Sequence, residues 1–557
     1  MELEDLHRSE DGISRPESKP TQEADVAHSG KEVDPDKEAA SSSNSQEPPT
    51  LHGVQLIGLL LCLFLGNFTI GFDSSCIGTL LVVLTDDFNA LEDIGWYQTT
   101  YLLTLCAPIL VMGRLYTFYS MKTLYALSFT VFVAGSILTA ASPTSTAFIL
   151  GRAVSGLGAS GINAGMYIIL ARTVPLKLRP TIFGICGAVE CAALAFGPLI
   201  SGSIAYADSW RINFWIIVGL GTAVALGVVI TSGRLSQNAQ DKQLSVIQRL
   251  EGLDWYGLVT QLPMTICLIL GLQWAGTTYE WSNWRIILLF ALIGVLAILF
   301  FLAERIGGKT SMISLPLLRQ RNVAFSCVVG FCNFAALWIL DNYLPLYFQV
   351  VRGADTLGSG LMYLPTTLSM SICALASGPF TSKLNYINPA LLLGSVLSVV
   401  GAALMTTFEP HTPAGRWIGY QIIYGIGVGM AFQPPFIALQ IVLEESLVPA
   451  GLVLLNFVQM LGGIIFLSIS QNIFLDNLLA SILAKNIPNL DAATVKQSGA
   501  TGLQGLVPAE YKPEIILAYN SAIIDILYIA LGLVSVGLIA ALGLEWRPIE
   551  KEDEKND

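Results

Sequence analysis

The chain has 557 residues, of which 53% are hydrophobic and only 13% are charged, and its formal net charge is -12. A soluble domain carries about 25% charged residues, so this sequence has too few charges to cover a water-facing surface. The composition excludes an ordinary soluble enzyme, and the acidic balance argues against nucleic acid as a partner. A membrane helix needs about 20 apolar residues, so the apolar content suffices for about 14 spans.

The first 50 residues form a polar tail without an apolar run. Such a tail predicts a disordered cytosolic segment rather than a secretory signal. Fourteen apolar segments follow, separated by charges or turn residues. We expect spans near residues 54–80, 97–115, 122–141, 146–171, 181–203, 212–232, 255–273, 284–303, 324–349, 357–379, 389–408, 417–442, 450–472 and 520–543. The predicted fold class is therefore an all-α polytopic membrane protein.

Lys and Arg are concentrated in every second connection between these segments. Because cytosolic loops are enriched in cations, this asymmetry predicts that both termini are cytosolic. The long connections are a cytosolic linker at 233–254 and an outward loop at 475–519, in which Tyr511–Ile516 is expected to be interfacial. Residues 544–557 are expected to form a cytosolic tail.

Four motifs are distributed over the first five segments. The first segment contains FDSSCIGTLLVVLTDDF, and the first cytosolic hairpin reads GRLYTFYSMK. The fourth segment contains GRAVSGLGASG and the fifth ALAFGPLISG. Together they resemble the fourteen-span drug:proton antiporter branch of the major facilitator superfamily, which is common in fungi. The resemblance runs from about residue 54 to 475 and is carried by Asp73, Ser75, Gly113, Leu115, Lys122, Arg152, Gly197, Pro198 and Gly202.

The sequence also departs from the family pattern. Thr117 replaces the usual Asp of the hairpin motif and Ser120 its Gly, Val82 replaces a Pro in the first segment, and Ser155 replaces a Gln in the fourth. In the family, the hairpin loop latches the two halves on the cytosolic side through ion pairs. Without the Asp, this latch is expected to be weaker here or to use other partners.

The resemblance implies two six-helix bundles, at residues 51–232 and 304–543, with two inserted helices at 255–303. The substrate cavity would lie between the bundles near the bilayer midplane, and the halves would rock around it. The Gly197-Pro198 pair in the fifth segment favours export, with flanking small residues that let the bent helix press against the opposite half. The expected protein is a monomer in the plasma membrane that uses a proton gradient, has no cofactor and exports a small hydrophobic molecule such as a toxin, secondary metabolite or drug.

Charged residues inside the membrane are costly and mark functional sites. Glu190 lies about ten residues into the fifth segment, which places it near the midplane and makes it a candidate proton or specificity site. Asp73 and Arg152 lie at similar depth, and each alone would be an unpaired buried charge. We therefore predict an ion pair between them, whose protonation would bias the two halves.

The ninth segment corresponds to the first helix of the second bundle and should line the cavity, so Asp341 could contact the substrate or lie at the outer mouth. Uncharged polar and aromatic residues of the second half are further candidates, because apolar ligand sites combine aromatic walls with a few polar groups. The candidates for substrate binding are Asp341, Asn342, Asn333, Tyr343, Phe348, Gln433, Asn456 and Gln459, with Phe72 and Phe432 as additional aromatic walls.

An enzyme and an uptake transporter are the alternatives to an exporter. An enzyme is disfavoured because three of the four His residues precede the first span and the fourth, His411, lies in a loop. The GGKTS segment at 307–311 lacks the preceding Gly of a phosphate-binding loop, since Ala303 stands there. Within transport, the alternative to export is proton-coupled uptake of a nutrient or an iron chelate.

Overall fold

A computed structural model of the chain describes residues 53–88, 93–207, 209–231, 254–276, 278–307, 315–445, 447–484 and 508–549. The predicted N-terminal tail, nearly all of the 233–254 linker and the last eight residues lie outside this part of the chain. Helices dominate the described residues, and they form fourteen spans that are long and apolar enough to cross a membrane. The predicted number of spans is therefore confirmed.

The first half of the chain contains seven helices that build six spans. Two of them, α2 and α3, form the second span together. The helices are α1 (Val54–Phe88), α2 (Ile94–Cys106), α3 (Ile109–Phe118), α4 (Met121–Ala140), α5 (Ser145–Thr173), α6 (Arg179–Ala207) and α7 (Arg211–Thr231).

Two inserted spans and a second set of helices follow. The inserted spans are α8 (Trp255–Trp274) and α9 (Trp284–Gly307). In the second set, α14 and α15 together form one span. The helices are α10 (Leu315–Arg319), α11 (Arg321–Leu346), α12 (Thr356–Leu384), α13 (Asn388–Met405), α14 (Ala414–Ala431), α15 (Pro434–Val442), α16 (Val448–Leu483) and α17 (Lys512–Leu542).

The outward loop is shorter than the sequence predicts. Helix α16 continues to Leu483, eleven residues past the predicted end of that span at 472, and α17 begins at Lys512 instead of 520. The segment Tyr511–Ile516, predicted to be interfacial, is the start of α17. Asp476 and Asn477 lie in the added part of α16, where a helix end that leaves the membrane tolerates polar side chains because its backbone bonds are already made.

Helices α1–α7 pack mainly on one another, as do α11–α17, and this division produces two halves. The halves meet where α6 packs along α12 and where α16 packs on α3 and α5. Because the number of spans is even, Val54 and Leu542 lie on the same side, which we call the terminus side; the other is the opposite side.

Small residues allow the closest helix crossings, as expected for membrane helices. The GxxxG motifs Gly161–Gly165 and Gly425–Gly429 both lie at packing contacts. Gly161 lies against Ser128 of α4, and Gly425 lies against the Thr366 backbone of α12. A Cβ atom at either glycine would lie within 2.5 Å of its neighbour, so these crossings require the missing side chain.

Candidate transport site

A cavity of about 610 Å³ lies between the two halves. The first half contributes residues of α1, α2, α5 and α6, and the second half contributes residues of α11 and α16. Most of its walls are apolar, and the largest side chains are those of Phe334 and Trp338 on α11. The remaining lining residues are Asn67, Ile70, Gly71, Ser74, Leu102, Leu105, Cys106, Asn163, Glu190, Leu194, Met460 and Ile464.

Glu190 is the one acidic residue in this lining. It lies near the middle of α6, about 17 Å from the start of that helix. Among the described residues it has neither an ion-pair partner nor a hydrogen-bond partner, so no local contact neutralises it. Asn67 lines the same cavity and donates a hydrogen bond of 3.0 Å to the Cys186 carbonyl of α6. Glu190 is thus free to meet a proton or a bound molecule.

The predicted ion pair between Asp73 and Arg152 is present. Arg152 Nη1 donates to Asp73 Oδ1 at 2.8 Å, and both side chains are fully buried. The guanidinium also lies 4.1 Å from the centre of the Tyr101 ring and donates through Nε to the Tyr97 carbonyl. The pair therefore joins α1, α2 and α5 within the first half. The pair lies outside the lining of the cavity, although Asp73 directly precedes the lining residue Ser74.

The cavity widens toward the opposite side. Ser74 and Trp338 line it, and the residues one turn farther along their helices, Gly78 and Asn342, are both exposed. A Cβ at Gly78 would meet no atom within 4 Å. Asn342, whose amide donates to the Trp338 carbonyl at 2.9 Å, therefore lies at the mouth of the cavity.

On the terminus side the two halves are in contact. The Asn456 side-chain amide donates to the side-chain oxygen Oδ1 of Asn163 on α5, directly at the cavity floor. Below it, the Tyr167 ring of α5 stacks on Phe436 of α15, with centroids 4.5 Å apart and planes 6° from parallel. The space between the halves is therefore closed on this side.

The hairpin motif takes part in this closure. Gly113 of α3 lies against Val453 of α16, so close that a Cβ at residue 113 would be 2.7 Å from Val453 Cγ1. Arg179 of α6 donates to Gln440 of α15 at 3.0 Å and also interacts electrostatically with Glu445 of the second half. Lys122 lies half-buried in the first turn of α4. Apolar packing, a charge-to-amide hydrogen bond and a charge–charge interaction thus connect the halves on this side.

The Gly-Pro motif of the fifth span contacts both halves. Pro198 lies inside α6, and Gly197 packs on Ser75 of α1, which belongs to the same half. Leu199 of the motif faces the other half, where a Cβ at Gly360 of α12 would lie 3.4 Å from Leu199 Cδ2. A Cβ at Gly202 would meet nothing within 4 Å. The contact with the opposite half is therefore made by a large side chain of the motif, not by its glycines.

Most second-half candidates lie behind the cavity wall. Asp341 accepts a hydrogen bond from Tyr363 of α12, and Tyr343 packs on Phe474 with ring centroids 5.4 Å apart. Phe348 lies toward the opposite side against Trp417, outside the cavity. None of these three lines the cavity, so the prediction of direct substrate contact is not supported for them.

The remaining candidates divide between the floor and the interior of the second half. Asn456 contributes to the floor through Asn163. Gln433 lies at the contact between α6 and α15. The other three lie outside the lining: Asn333 faces Gly537, Gln459 faces Gly330, and Phe432 packs behind Phe334. Phe72 packs on Phe68 and is also outside the lining.

Several residues that line the cavity are not among those predicted from the sequence. Asn67 and Asn163 are polar residues in apolar spans, a signal that could have identified them. Phe334, Trp338, Met460 and Ile464 carry no such signal, because spans that are apolar all round do not show which face points inward.

The fold and the cavity define a membrane transporter, and comparison with known proteins identifies its family. The model of the Major Facilitator Superfamily matches residues 63–467. This chain belongs to that superfamily and is a multi-pass membrane protein, not an enzyme. The solved structure of the proton:xylose symporter XylE matches with a TM-score of 0.53 at 13% identity, over 89% of this chain and 98% of that one, which supports the fold alone.

Curated fungal proteins resemble the chain over nearly its whole length. The MFS-type efflux pump MFS1 of Arthroderma benhamiae is 37% identical over 515 residues, which cover 92% of this chain and 96% of that protein. The efflux pump aflT of Aspergillus parasiticus is 35% identical over 92% and 99% of the two chains. The MFS thioclapurine efflux transporter tcpA of Claviceps purpurea is 35% identical over 93% and 96%.

Proposed function

We propose that the protein exports a small hydrophobic molecule from the cytosol in exchange for protons, and that Glu190 is the group that binds the coupling proton. The observation that carries the proposal is the unpaired Glu190 carboxyl in an otherwise apolar cavity between the halves. The names of the fungal relatives support export. The excess of cations on the terminus side supports cytosolic termini and a cavity that faces outward.

The cavity also bears on the substrate. Phe334 and Trp338 offer aromatic surface, while Asn67 and Asn163 are the only amide side chains in the lining, so a flat aromatic molecule with one or two polar groups fits its chemistry. In the proposed cycle, protonation of Glu190 from outside, after the molecule has left, removes its charge and lets the empty cavity close. Release of the proton to the cytosol then restores the acid for the next molecule.

The test uses purified protein in vesicles with an imposed pH gradient and a dye that reports the lumenal pH. Aromatic compounds, uncharged and cationic, are added one at a time to vesicles with wild type, Glu190→Gln or Glu545→Gln. The last variant is the control, because Glu545 is a solvent-accessible acid near the C-terminus that pairs with Arg547. We expect some compounds to dissipate the gradient through wild type and the control but not through Glu190→Gln.

Compound binding, measured by tryptophan quenching, separates coupling from folding. Glu190→Gln should still bind the compounds that wild type transports. Transport by wild type without proton movement, or a Glu190→Gln variant that behaves as wild type, would show that Glu190 does not couple transport to protons.

A further inference from the structure

The second span is broken in the middle of the membrane. Helix α2 ends at Cys106 and α3 begins at Ile109, with Ala107 and Pro108 between them. Proline has no backbone N–H, so it interrupts the ladder of helix hydrogen bonds. The terminus-side piece, α3, is the piece that carries Gly113 to Val453 of the other half. Its position is therefore not fixed by α2 through a continuous helix.

The inserted helix α8 contacts the span at this break. Gln261, which is 1% exposed, donates from Nε2 to the Ala107 carbonyl at 3.2 Å and to Thr265 Oγ1 at 3.0 Å. A glutamine amide inside a membrane helix is costly unless it is bonded, and a backbone carbonyl in a helix break needs a donor. The Gln261 N–H groups and the Ala107 carbonyl are thereby satisfied, whereas Gln261 Oε1 has no hydrogen-bond partner among the described residues.

Single contacts on either side of the break connect the second span to the inserted pair. Toward the opposite side, the rings of Trp96 on α2 and Trp274 on α8 meet edge to face at 5.9 Å. Toward the terminus side, Arg114 of α3 lies within electrostatic range of Asp254 and Glu304, which are both 4% exposed and belong to the terminus-side ends of α8 and α9. Together with the Gln261 bond, these contacts join the inserted pair to both pieces of the second span.

We infer that the inserted pair α8–α9 is a brace for the broken second span, in which Gln261 is a positioning residue that holds the Ala107–Pro108 break and so sets α3 against α16 at the terminus-side closure. Without the brace, α3 would pivot at the break and the Gly113–Val453 contact would form less often. The inserted pair would then act on transport without lining the cavity.

The experiment measures how readily α3 meets α16. Cysteines are introduced as Gly113→Cys and Val453→Cys in a background whose nine cysteines are replaced, and the rate of disulfide formation is followed under mild oxidation. The two positions face each other closely enough for a disulfide after a small adjustment. Gln261→Met, which keeps the length of the side chain but removes its donor, should slow cross-linking roughly fivefold, the population change expected for one lost hydrogen bond. Maximal transport velocity should fall, while binding of a transported compound is unchanged.

The chain provides a matched control. Gln421 is also fully buried and bonds a backbone carbonyl and a threonine, Met362 at 3.0 Å and Thr366 at 2.9 Å, but entirely within the second half. Gln421→Met should leave the cross-linking rate unchanged. An unchanged rate in folded Gln261→Met, or equal slowing by both variants, overturns the inference. If Gln261→Met does not fold, Thr265→Val is measured instead. This variant removes one hydrogen-bond partner of the Gln261 amide and should also slow cross-linking. An unchanged cross-linking rate in Thr265→Val overturns the inference.

Discussion

At the scale of single residues, the charged side chains inside the spans have three different surroundings. Glu190 lies in the cavity, and Asp73 and Arg152 form an ion pair at 2.8 Å within the first half. Asp341 bonds Tyr363 behind the cavity wall. A charge predicts that a residue is partnered or functional, but the partner can be a neighbouring helix instead of a substrate.

The buried ion pair should be more sensitive to loss of one partner than to loss of both. Asp73→Asn leaves the Arg152 guanidinium buried without its counter-ion, and such unpaired charges cost about 3–5 kcal/mol. We expect a large fall in the thermal unfolding temperature for this variant. The double variant Asp73→Asn with Arg152→Gln removes both charges and should recover part of the loss. If the double variant is as unstable as the sum of both single variants, the two residues act independently.

The ion pair between Asp87 and Arg211, on the opposite side, should behave differently. Asp87 lies beyond the membrane-spanning part of α1, and hydrogen bonds from Trp210 and Arg211 lower the pKa of its carboxyl. A lowered pKa contributes stability above the unfolded pKa of about 4, and this is lost as pH falls through the folded value.

Asp87→Asn should therefore lower stability more at pH 7 than at pH 3. The effect at pH 7 should be below about 1 kcal/mol, because the ion pair is 35% and 44% exposed. Unfolding temperatures of wild type and variant at the two pH values provide the measurement. A stability difference that stays constant with pH would show that packing, not charge, is its cause.

At the scale of helices, the number and order of the spans followed from apolar length alone, whereas breaks and helix faces did not. The interruption at Ala107–Pro108 and the extension of α16 to Leu483 were not predicted, and the Gln261 contact at the interruption joins helices that are far apart in the sequence. Likewise, the cavity face of α11 is set by its neighbours, since the helix is apolar on all sides. Sequence therefore predicted the elements well and their contacts poorly.

Two glycines of α6 offer a direct comparison within one helix. A Cβ at Gly197 would lie 1.9 Å from Ser75 Oγ, whereas one at Gly202 would meet nothing within 4 Å. Gly197→Val should force α1 and α6 apart at a cost of about 1–3 kcal/mol, the range for overpacked cores. Gly202→Val should be tolerated. Folded yield and unfolding temperature in detergent measure both, and equal effects would show that loss of backbone freedom, not the crossing, is responsible.

At the scale of the whole molecule, the described contacts correspond to one state of an alternating-access cycle. The floor is closed by Asn163 with Asn456 and by Tyr167 with Phe436, and the mouth is open beyond Trp338. In the alternative state, these contacts must separate, because the cavity has to reach the terminus side.

A reversible cross-link should therefore stop the cycle. Oxidation of the Gly113→Cys, Val453→Cys variant should abolish transport, and a reducing agent should restore it. The control replaces Gly113→Cys by Gly219→Cys, a position on α7 where a Cβ meets no atom within 4 Å. Transport that continues at the same rate through the cross-linked protein would mean that α3 and α16 do not separate during the cycle.

The direction in which the cavity opens also has a pharmacological consequence. Its mouth, at Gly78 and Asn342, is on the side away from the termini, and its walls are largely apolar. With the proposed cytosolic termini and plasma-membrane location, a blocker that approaches from that side has no bilayer to cross, so it can be larger and more polar than an ordinary cell-permeant drug. A molecule of this kind bound between Phe334 and the α1 wall would hold the transporter in a single conformation without entering the cell.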